Sequence, residues 1–245
     1  DNAQQPNHGA FHAPYDRTAR RDFLTRAGTV LASGVVAPAL AAVDDKAPKK
    51  IAAIVTVYTH NSHADVIVSR LLQGYNLDGK EPRPNLKLVS LFTDQVPEGD
   101  KSRRFAAEHG FRIFPTIAET LTLGGAELAV DGVLLIGEHG KYETSETGQV
   151  MYPRRRIFEE TVAEFRRSGR SVPVFSDKHL SWNWADAKWM YDASRELRFP
   201  LMAGSSLPVL WRRPPIEVEL GAAMTEAVGI SYHTLDAYGF HALEG

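Results

Sequence analysis

The chain has 245 residues, of which 43% are hydrophobic and 24% are charged, which is ordinary globular composition and enough length for one large domain and part of another. Its net charge of −2 gives no electrostatic signature for nucleic-acid binding. It contains no cysteine, which excludes disulfides, thiolate metal sites and a cysteine nucleophile. No apolar stretch is long and clean enough to predict a membrane span.

Residues 1–48 are predicted to precede the fold as a disordered tail, an export signal and a charged spacer. This segment resembles a twin-arginine signal, because the parts of such a signal come in the right order. They are Arg20 and Arg21, then Phe23-Leu24, then the mildly apolar residues 27–42, with Ala39-Leu40-Ala41 as the cleavage site. The resemblance predicts a periplasmic protein exported in folded form by the twin-arginine machinery. The alternative is an amphipathic helix with a chance arginine pair.

Residues 49–206 alternate between apolar runs and helical patterns. The predicted strands are Ile51–Val57, Leu86–Phe92, Arg112–Phe114, Asp131–Ile136, Val172–Phe175 and Phe199–Ala203. Between them, helical patterns begin at Ala64, Lys101, Thr116, Pro153 and Asn183. Strands that alternate with helices at this spacing predict an α/β fold, a Rossmann-type doubly wound parallel sheet.

The pattern changes in residues 207–245. The segment Trp211-Arg-Arg-Pro-Pro is typical of a linker, and Ile216–Leu220 and Val228–Tyr232 have the composition of strands. We interpret this region as the incomplete start of a second α/β domain, and we expect the chain to be a piece of a longer protein.

Ligands of open parallel sheets bind outside the carboxyl ends of the strands. The turn Thr56–His63 follows the first strand, and the helix start near Ser62 offers free amides to an anion. Asp94 ends the second strand, where an acidic residue can bind an adenosine ribose, although a turn-forming role is the alternative. Lys178 follows the fifth strand, where it can polarise a substrate hydroxyl or lie in a solvated turn.

The order of these segments resembles the glucose–fructose oxidoreductase / inositol dehydrogenase family (Gfo/Idh/MocA). The resemblance is carried by Ile51–His63, Ser102–Gly110, Asp131–Ile136, Val174–Leu180 and Phe199–Gly204. It implies a Rossmann domain followed by a C-terminal α/β domain, an oxidoreductase that uses NAD or NADP on a sugar or polyol. A homo-oligomer is compatible with it.

The resemblance also implies site residues. Val174–Leu180 is similar to the Glu-Lys-Pro motif of the family, which assigns substrate orientation to Lys178. The segment with Asp236 and His241 is similar to one whose Asp and His face this lysine, which implies catalytic roles for both, with His241 as an acid/base. The alternative is the start of an amphipathic helix with Asp236 as its cap. The implied cofactor-binding residues are Thr56, Val57, His60, Ser62, His63, Asp94 and Asp177.

The chain departs from the family pattern at the dinucleotide turn. Val55, Val57 and His60 stand at the three glycine positions, where glycine allows close approach to the pyrophosphate. The long polar loop 138–152 has no counterpart in the family. Two hypotheses therefore stay open: an NAD(P)-dependent oxidoreductase, or a non-catalytic Rossmann scaffold that binds carbohydrate or a partner protein without a nucleotide.

Two weaker patterns remain. His60, His63 and His139 are expected at the same sheet edge and can together bind a metal such as zinc, but no ligand spacing supports this, and ordinary loop histidines are favoured. Trp182 and Trp184 can stack on a sugar ring, with a packing role as the alternative.

Overall fold

The structure is a computed structural model that describes residues 47–74, 84–211, 213–215, 218–232 and 238–244. The predicted export signal and Asp236 lie outside the described residues. The strands are β1 Lys49–Val55, β2 Leu86–Thr93, β3 Arg112–Ile113, β4 Gly132–Ile136, β5 Val174–Asp177 and β6 Leu201–Gly204. The helices are α1 His63–Gln73, α2 Ser102–His109, α3 Ile117–Thr122, α4 Arg154–Ser168, α5 Trp184–Glu196 and α6 Phe240–Glu244.

The six strands form one parallel sheet in the order β3-β2-β1-β4-β5-β6. This confirms the predicted Rossmann-type α/β fold. The direction of winding reverses between β1 and β4, which creates a crevice at their carboxyl ends. The predicted boundaries shift by two residues or fewer at most strand ends.

Strand β1 is buried on both faces because helices cover each side of the sheet. Its alternating side chains divide between two apolar clusters. Ala52 and Ile54 pack with residues of α3, α4 and α5, whereas Ala53 and Val55 pack with residues of α1 and α2. This explains why β1 is a continuous apolar run in the sequence.

Local hydrogen bonds and one left-handed glycine mark the ends of several helices. The Ser62 hydroxyl accepts from the Asp65 amide at the start of α1, and the Asn183 side chain accepts from the Asp186 amide at the start of α5. Gly110 ends α2 in the left-handed conformation, with φ 74°.

The strand predicted over Val228–Tyr232 is wrong. Val228, Ile230 and Tyr232 are almost fully exposed, and this stretch has no regular structure. Val218–Leu220, the described part of the other predicted strand, is not a strand either. Both segments have the composition of a strand, but the described part of the chain contains no strand that pairs with them.

Among the described residues, no helix is both long enough and apolar enough to cross a membrane.

Candidate functional site

A cavity of about 550 Å³ opens at the carboxyl ends of β5 and β6, beside the first turns of α1. Its polar wall contains His63, Asp177, Lys178, Ser205 and His241, and its apolar wall contains Val66, Ile67, Phe175 and Leu207. The volume is in the range of small-molecule sites, which combine apolar walls with a few convergent polar groups.

Lys178 is held in this cavity by an uncommon backbone conformation. It has a left-handed φ of 68°, and its amide donates to the Gly204 carbonyl at 3.1 Å. A non-glycine residue in this region is worth attention, because the surrounding structure must compensate for its strain. The turn after β5 therefore fixes where the Lys178 side chain begins.

The Lys178 side chain contacts His241 of α6. Lys178 Nζ lies 2.9 Å from His241 Nε2. Because an ammonium group can only donate, Nε2 accepts, so the neutral imidazole carries its proton on Nδ1. That nitrogen lies 3.3 Å from Ser205 Oγ, which extends the polar chain to a third side chain.

A second histidine in the same cavity is paired with a carboxylate. His63 Nδ1 lies 2.5 Å from Asp177 Oδ2, although the two residues are 114 positions apart in the sequence. Asp177 is buried, and His63 is partly exposed. The His139 ring contacts the His63 ring edge-on, with centroids 5.0 Å apart.

Several polar groups in the turn after β1 form hydrogen bonds with other residues of the chain. The Thr56 hydroxyl donates to the Glu138 carbonyl at 2.5 Å, and the Val57 side chain is buried. The backbone amide of Asn61 donates to Asp65 Oδ2 at 2.9 Å, and the Ser62 side chain caps the start of α1. An amide that a phosphate could use is thus bound to a carboxylate of the same chain.

Asp65 is the centre of this arrangement. Besides the Asn61 amide, it accepts from Ser69 Oγ at 2.8 Å and from Lys101 Nζ at 2.5 Å, and the exposed His60 ring lies 3.7 Å away. Burial raises the pKa of Asp65, but the donors outweigh burial and the net pKa is lowered. A carboxylate therefore lies in the first turn of α1, where the helix dipole favours negative charge.

Asp94, the predicted ribose-binding residue, is engaged at both oxygens. The Tyr142 hydroxyl donates to Oδ2 at 2.7 Å, and Arg156 donates to Oδ1 at 2.5 Å. The next residue, Gln95, exchanges two hydrogen bonds with the Lys141 backbone, each 2.9 Å long. The loop 138–152 therefore folds back over the carboxyl end of β2.

A buried arginine anchors the beginning of that loop. Arg154 is only 2% exposed, forms an ion pair with Glu138, and lies 3.2 Å from His179 Nε2 through its Nη1. The His179 ring packs on Phe240 with centroids 4.8 Å apart. This cluster connects the loop, the turn after β5 and α6.

These residues do not fit a nicotinamide dinucleotide in its usual pose. The pyrophosphate needs free turn amides and a glycine at the position of Val57, and the ribose needs a free acidic residue at the end of β2. Here the Asn61 amide is bound to Asp65, and Asp94 is bound to Tyr142 and Arg156.

The structure brings four of the predicted site residues together in one cavity: His63, Asp177, Lys178 and His241. Thr56, Val57, His60 and Ser62 lie in the turn after β1, and Asp94 lies under the loop 138–152. Asp236 lies outside the described residues. The assigned roles of all these residues stay predictions.

Tyr142, Arg154, Arg156 and Ser205 were not predicted as site residues from the sequence. The unusual length of the loop 138–152 is the one signal that pointed to the first of them. Arg156 also forms an ordinary pair one turn along its helix, with Glu160, as Arg155 does with Glu159, so nothing local distinguishes it.

Of the residues that the structure describes, no group of three or more His, Cys, Asp or Glu side chains is placed to hold a metal ion. A second cavity of about 630 Å³ opens at the amino ends of β1, β4 and β5. It lies at the opposite edge of the sheet from Lys178, and ligands of such sheets bind at the carboxyl edge.

No protein-family model matches the chain, and no curated protein matches it. Solved structures resemble it at low identity. A Gfo/Idh/MocA family oxidoreductase from Vibrio cholerae is 17% identical, with a TM-score of 0.42, over 65% of this chain and 39% of that one. Biliverdin reductase from Synechocystis, solved with biliverdin and NADP+, is 17% identical, with a TM-score of 0.40, over 64% of this chain and 37% of that one.

GenD2 of gentamicin A biosynthesis, solved with NAD, is 17% identical, with a TM-score of 0.42, over 70% of this chain and 37% of that one. The chain thus spans less than two-fifths of the length of these proteins. Likenesses at these scores carry no argument about function, which must come from the residues of this chain.

Proposed function

We propose that this chain binds a sugar or polyol in the cavity at the carboxyl ends of β5 and β6, without a nicotinamide dinucleotide in the usual pose. The observation that carries the proposal is the Lys178 ammonium, fixed by a left-handed turn and placed 2.9 Å from His241 Nε2. With Ser205 beside them, these groups offer both donors and acceptors to hydroxyl groups.

The walls of the cavity support this ligand class. Val66, Ile67 and Phe175 supply apolar surface, against which the C–H faces of a sugar or polyol can pack. Lys178 and His241 lie in the same cavity and supply directional hydrogen bonds. The Asn61 backbone amide and the Asp94 carboxylate, two groups that would contact a dinucleotide, are already bound to residues of the chain itself.

A second candidate is an NAD(P)-dependent oxidoreductase that acts on a sugar or polyol. The Lys178–His241 contact favours it, because the Gfo/Idh/MocA resemblance assigns substrate orientation to this lysine and proton transfer to this histidine. It requires a dinucleotide that enters in another pose or displaces the contacts of Asp65 and Asp94.

The two candidates are separated by purifying the full chain, denaturing it, and measuring released dinucleotide by absorbance and mass. We expect none, and we expect no binding of added NAD or NADP at millimolar concentration. Release in stoichiometric amount would favour the oxidoreductase and contradict the proposal.

Ligand binding is measured by calorimetry against a panel of neutral sugars, sugar acids and polyols. Lys178→Ala should weaken the binding of any ligand found by about tenfold or more, because hydrogen bonds to charged groups contribute about 1.5–3 kcal/mol. Lys188→Ala is the matched control, since Lys188 is an exposed lysine paired with Asp192 on α5. Equal affinities for Lys178→Ala and the wild type would place the ligand elsewhere.

We also propose that the protein is exported to the periplasm by the twin-arginine machinery. The support is the order of Arg20, Arg21, the apolar residues 27–42 and the Ala39-Leu40-Ala41 site in the sequence. This route carries folded proteins, and a domain whose turn and loop satisfy their own polar groups is suited to folding before export.

A further inference from the structure

We propose that His63 and Asp177 form an acid/base dyad that catalyses proton transfer on a carbonyl sugar without a nucleotide. This inference rests on the proposed function, because it assigns a reaction to the ligand of the same cavity. The resemblance assigns both residues to cofactor binding, whereas the structure pairs them and places them in the wall of the cavity.

The hydrogen bond fixes the tautomer of His63. An ionised carboxylate only accepts, so the Nδ1–H group of His63 donates to Asp177 Oδ2 at 2.5 Å. The other nitrogen, Nε2, then carries a lone pair, and it has no hydrogen-bond partner among the described residues. A carboxylate that orients a histidine in this way also stabilises the imidazolium that forms when Nε2 takes a proton.

Asp177 is more deeply buried than His63, as an acid/base dyad requires when its histidine contacts the ligand. Asp177 is 5% exposed and lies at the end of β5, so its position is set by the sheet. His63 is the first residue of α1, and its side chain is 28% exposed. The carboxylate is thus shielded from water while the imidazole can reach a ligand.

Lys178 supplies the complementary charge. It follows Asp177 directly in the chain and lines the same cavity as His63. Its ammonium group has three donors, of which His241 Nε2 accepts one, so it can also donate to a carbonyl oxygen. A donor at the carbonyl and a base near the adjacent carbon are what enolisation needs.

The reaction is balanced without an oxidant. His63 Nε2 removes a proton from the carbon next to the carbonyl of an open-chain aldose or ketose. The electron pair of that C–H bond forms a C=C bond, the carbonyl π electrons move to oxygen, and Lys178 stabilises the resulting enediolate. When a proton returns to the same carbon, its hydrogen is exchanged with solvent or the carbon is epimerised. When the hydroxyl proton of the enediolate moves to the former carbonyl oxygen and the neighbouring carbon is protonated instead, the aldose and ketose are interconverted.

The experiment incubates the full chain in deuterated water with reducing pentoses, hexoses and uronic acids and follows deuterium at the α-carbon by proton NMR. We expect exchange into at least one sugar that binds. His63→Gln should lower the exchange rate by about 100-fold or more, and Asp177→Asn by about 100-fold or more, with affinity for the sugar changed far less. His109→Gln on α2 is the matched control and should exchange at the wild-type rate.

A spectroscopic measurement distinguishes positioning from a general structural effect of Asp177. In chain labelled with ¹⁵N histidine, His63 should be the Nδ1–H tautomer with a downfield proton, and Asp177→Asn should abolish that signature while the fold persists. A sugar that binds but does not exchange would overturn the dyad and leave the proposed function standing. Wild-type exchange in His63→Gln would also overturn it. Absence of binding across the whole panel would overturn both.

Discussion

At the residue scale, the carboxyl end of β4 has little tolerance for added volume. Gly137 lies against Arg154, which is buried and ion-paired with Glu138. A Cβ atom at position 137 would come within 2.6 Å of Arg154 Cγ. That atom is in the middle of a side chain whose far end is bound, so it cannot move away freely.

Gly137→Ala should therefore lower the free energy of unfolding by about 1–3 kcal/mol, the usual cost of added volume in a packed site. Urea denaturation measures it. Gly229→Ala is the matched control, since the nearest atom to its new Cβ would be an ordinary contact at 3.7 Å. Equal stabilities of the two variants would show that Arg154 can be displaced at little cost.

His139 makes stability depend on pH. Burial lowers its pKa below the ordinary value of 6.5, and the neighbouring His63 and Lys178 lower it further, while Glu138 and Asp177 act against them. Because the unfolded chain binds this proton more readily, the contribution of His139 to stability is complete above about pH 6.5. It is lost as the pH falls from there through the lower pKa of the folded state.

His139→Asn should reduce that loss, so its unfolding free energy should fall less than that of the wild type between pH 7.5 and pH 5. Asparagine tolerates the left-handed φ of 67° at this position, so the change tests charge rather than backbone strain. Urea titrations of both proteins across this pH range measure the difference. Parallel pH profiles would contradict the assignment.

At the element scale, the loop 138–152 and the turn after β1 supply hydrogen-bond partners to each other and to the end of β2. Tyr142 and Lys141 of the loop form hydrogen bonds with Asp94 and Gln95 at the end of β2. In the turn after β1, the Asn61 backbone amide donates to Asp65. Buried polar groups are costly unless they are hydrogen-bonded. A Rossmann sheet without a nucleotide therefore needs such internal partners.

Tyr142 is the main side-chain contact of that loop with the sheet. Its pKa is raised by burial and by the hydrogen bond to Asp94, so the hydroxyl keeps its proton and donates. Tyr142→Phe should cost about 1.5–3 kcal/mol, the contribution of a hydrogen bond to a charged group. It should also speed amide hydrogen exchange within the loop 138–152.

Tyr191→Phe is the control for that measurement, because Tyr191 is a half-exposed tyrosine on α5, away from the loop. Hydrogen-exchange mass spectrometry measures the amide exchange rate of the loop 138–152 in each variant. If both variants leave its exchange rate unchanged, Tyr142 does not hold the loop to Asp94.

At the scale of the whole molecule, the sheet order brings the turns after β1, β5 and β6 to one edge. His63 and Lys178 therefore line one cavity although they are far apart in the sequence.

The export proposal belongs to this scale. Replacing both Arg20 and Arg21 by lysine should abolish delivery to the periplasm in a bacterial host, because the twin-arginine pair is the recognition element of the signal. Cell fractionation followed by immunoblotting measures it. The same replacement at Arg166 and Arg167, an adjacent arginine pair on α4, controls for a general effect of exchanging arginine for lysine. Periplasmic delivery of the Arg20/Arg21 variant would contradict the signal.

The order of strands and helices and the Asn183 cap of α5 can be predicted from the amino-acid sequence, because they depend on periodicity and on contacts within a few residues. The sequence also located the turn after β1 and Lys178, since strand ends can be read locally. The strand predicted at Val228–Tyr232 is wrong, because among the residues that the structure describes no strand lies beside this segment to pair with it.

The partners of the site residues follow from the tertiary structure alone. Asp94 meets Tyr142 and Arg156, which are 48 and 62 positions away, and His63 meets Asp177 across 114 positions. Such pairs depend on the sheet order and on the course of a long loop, and no local pattern encodes either. The sequence therefore predicted a dinucleotide-binding scaffold, while the tertiary contacts showed that Asp94, the Asn61 backbone amide and Asp177 are bound to other residues of the chain.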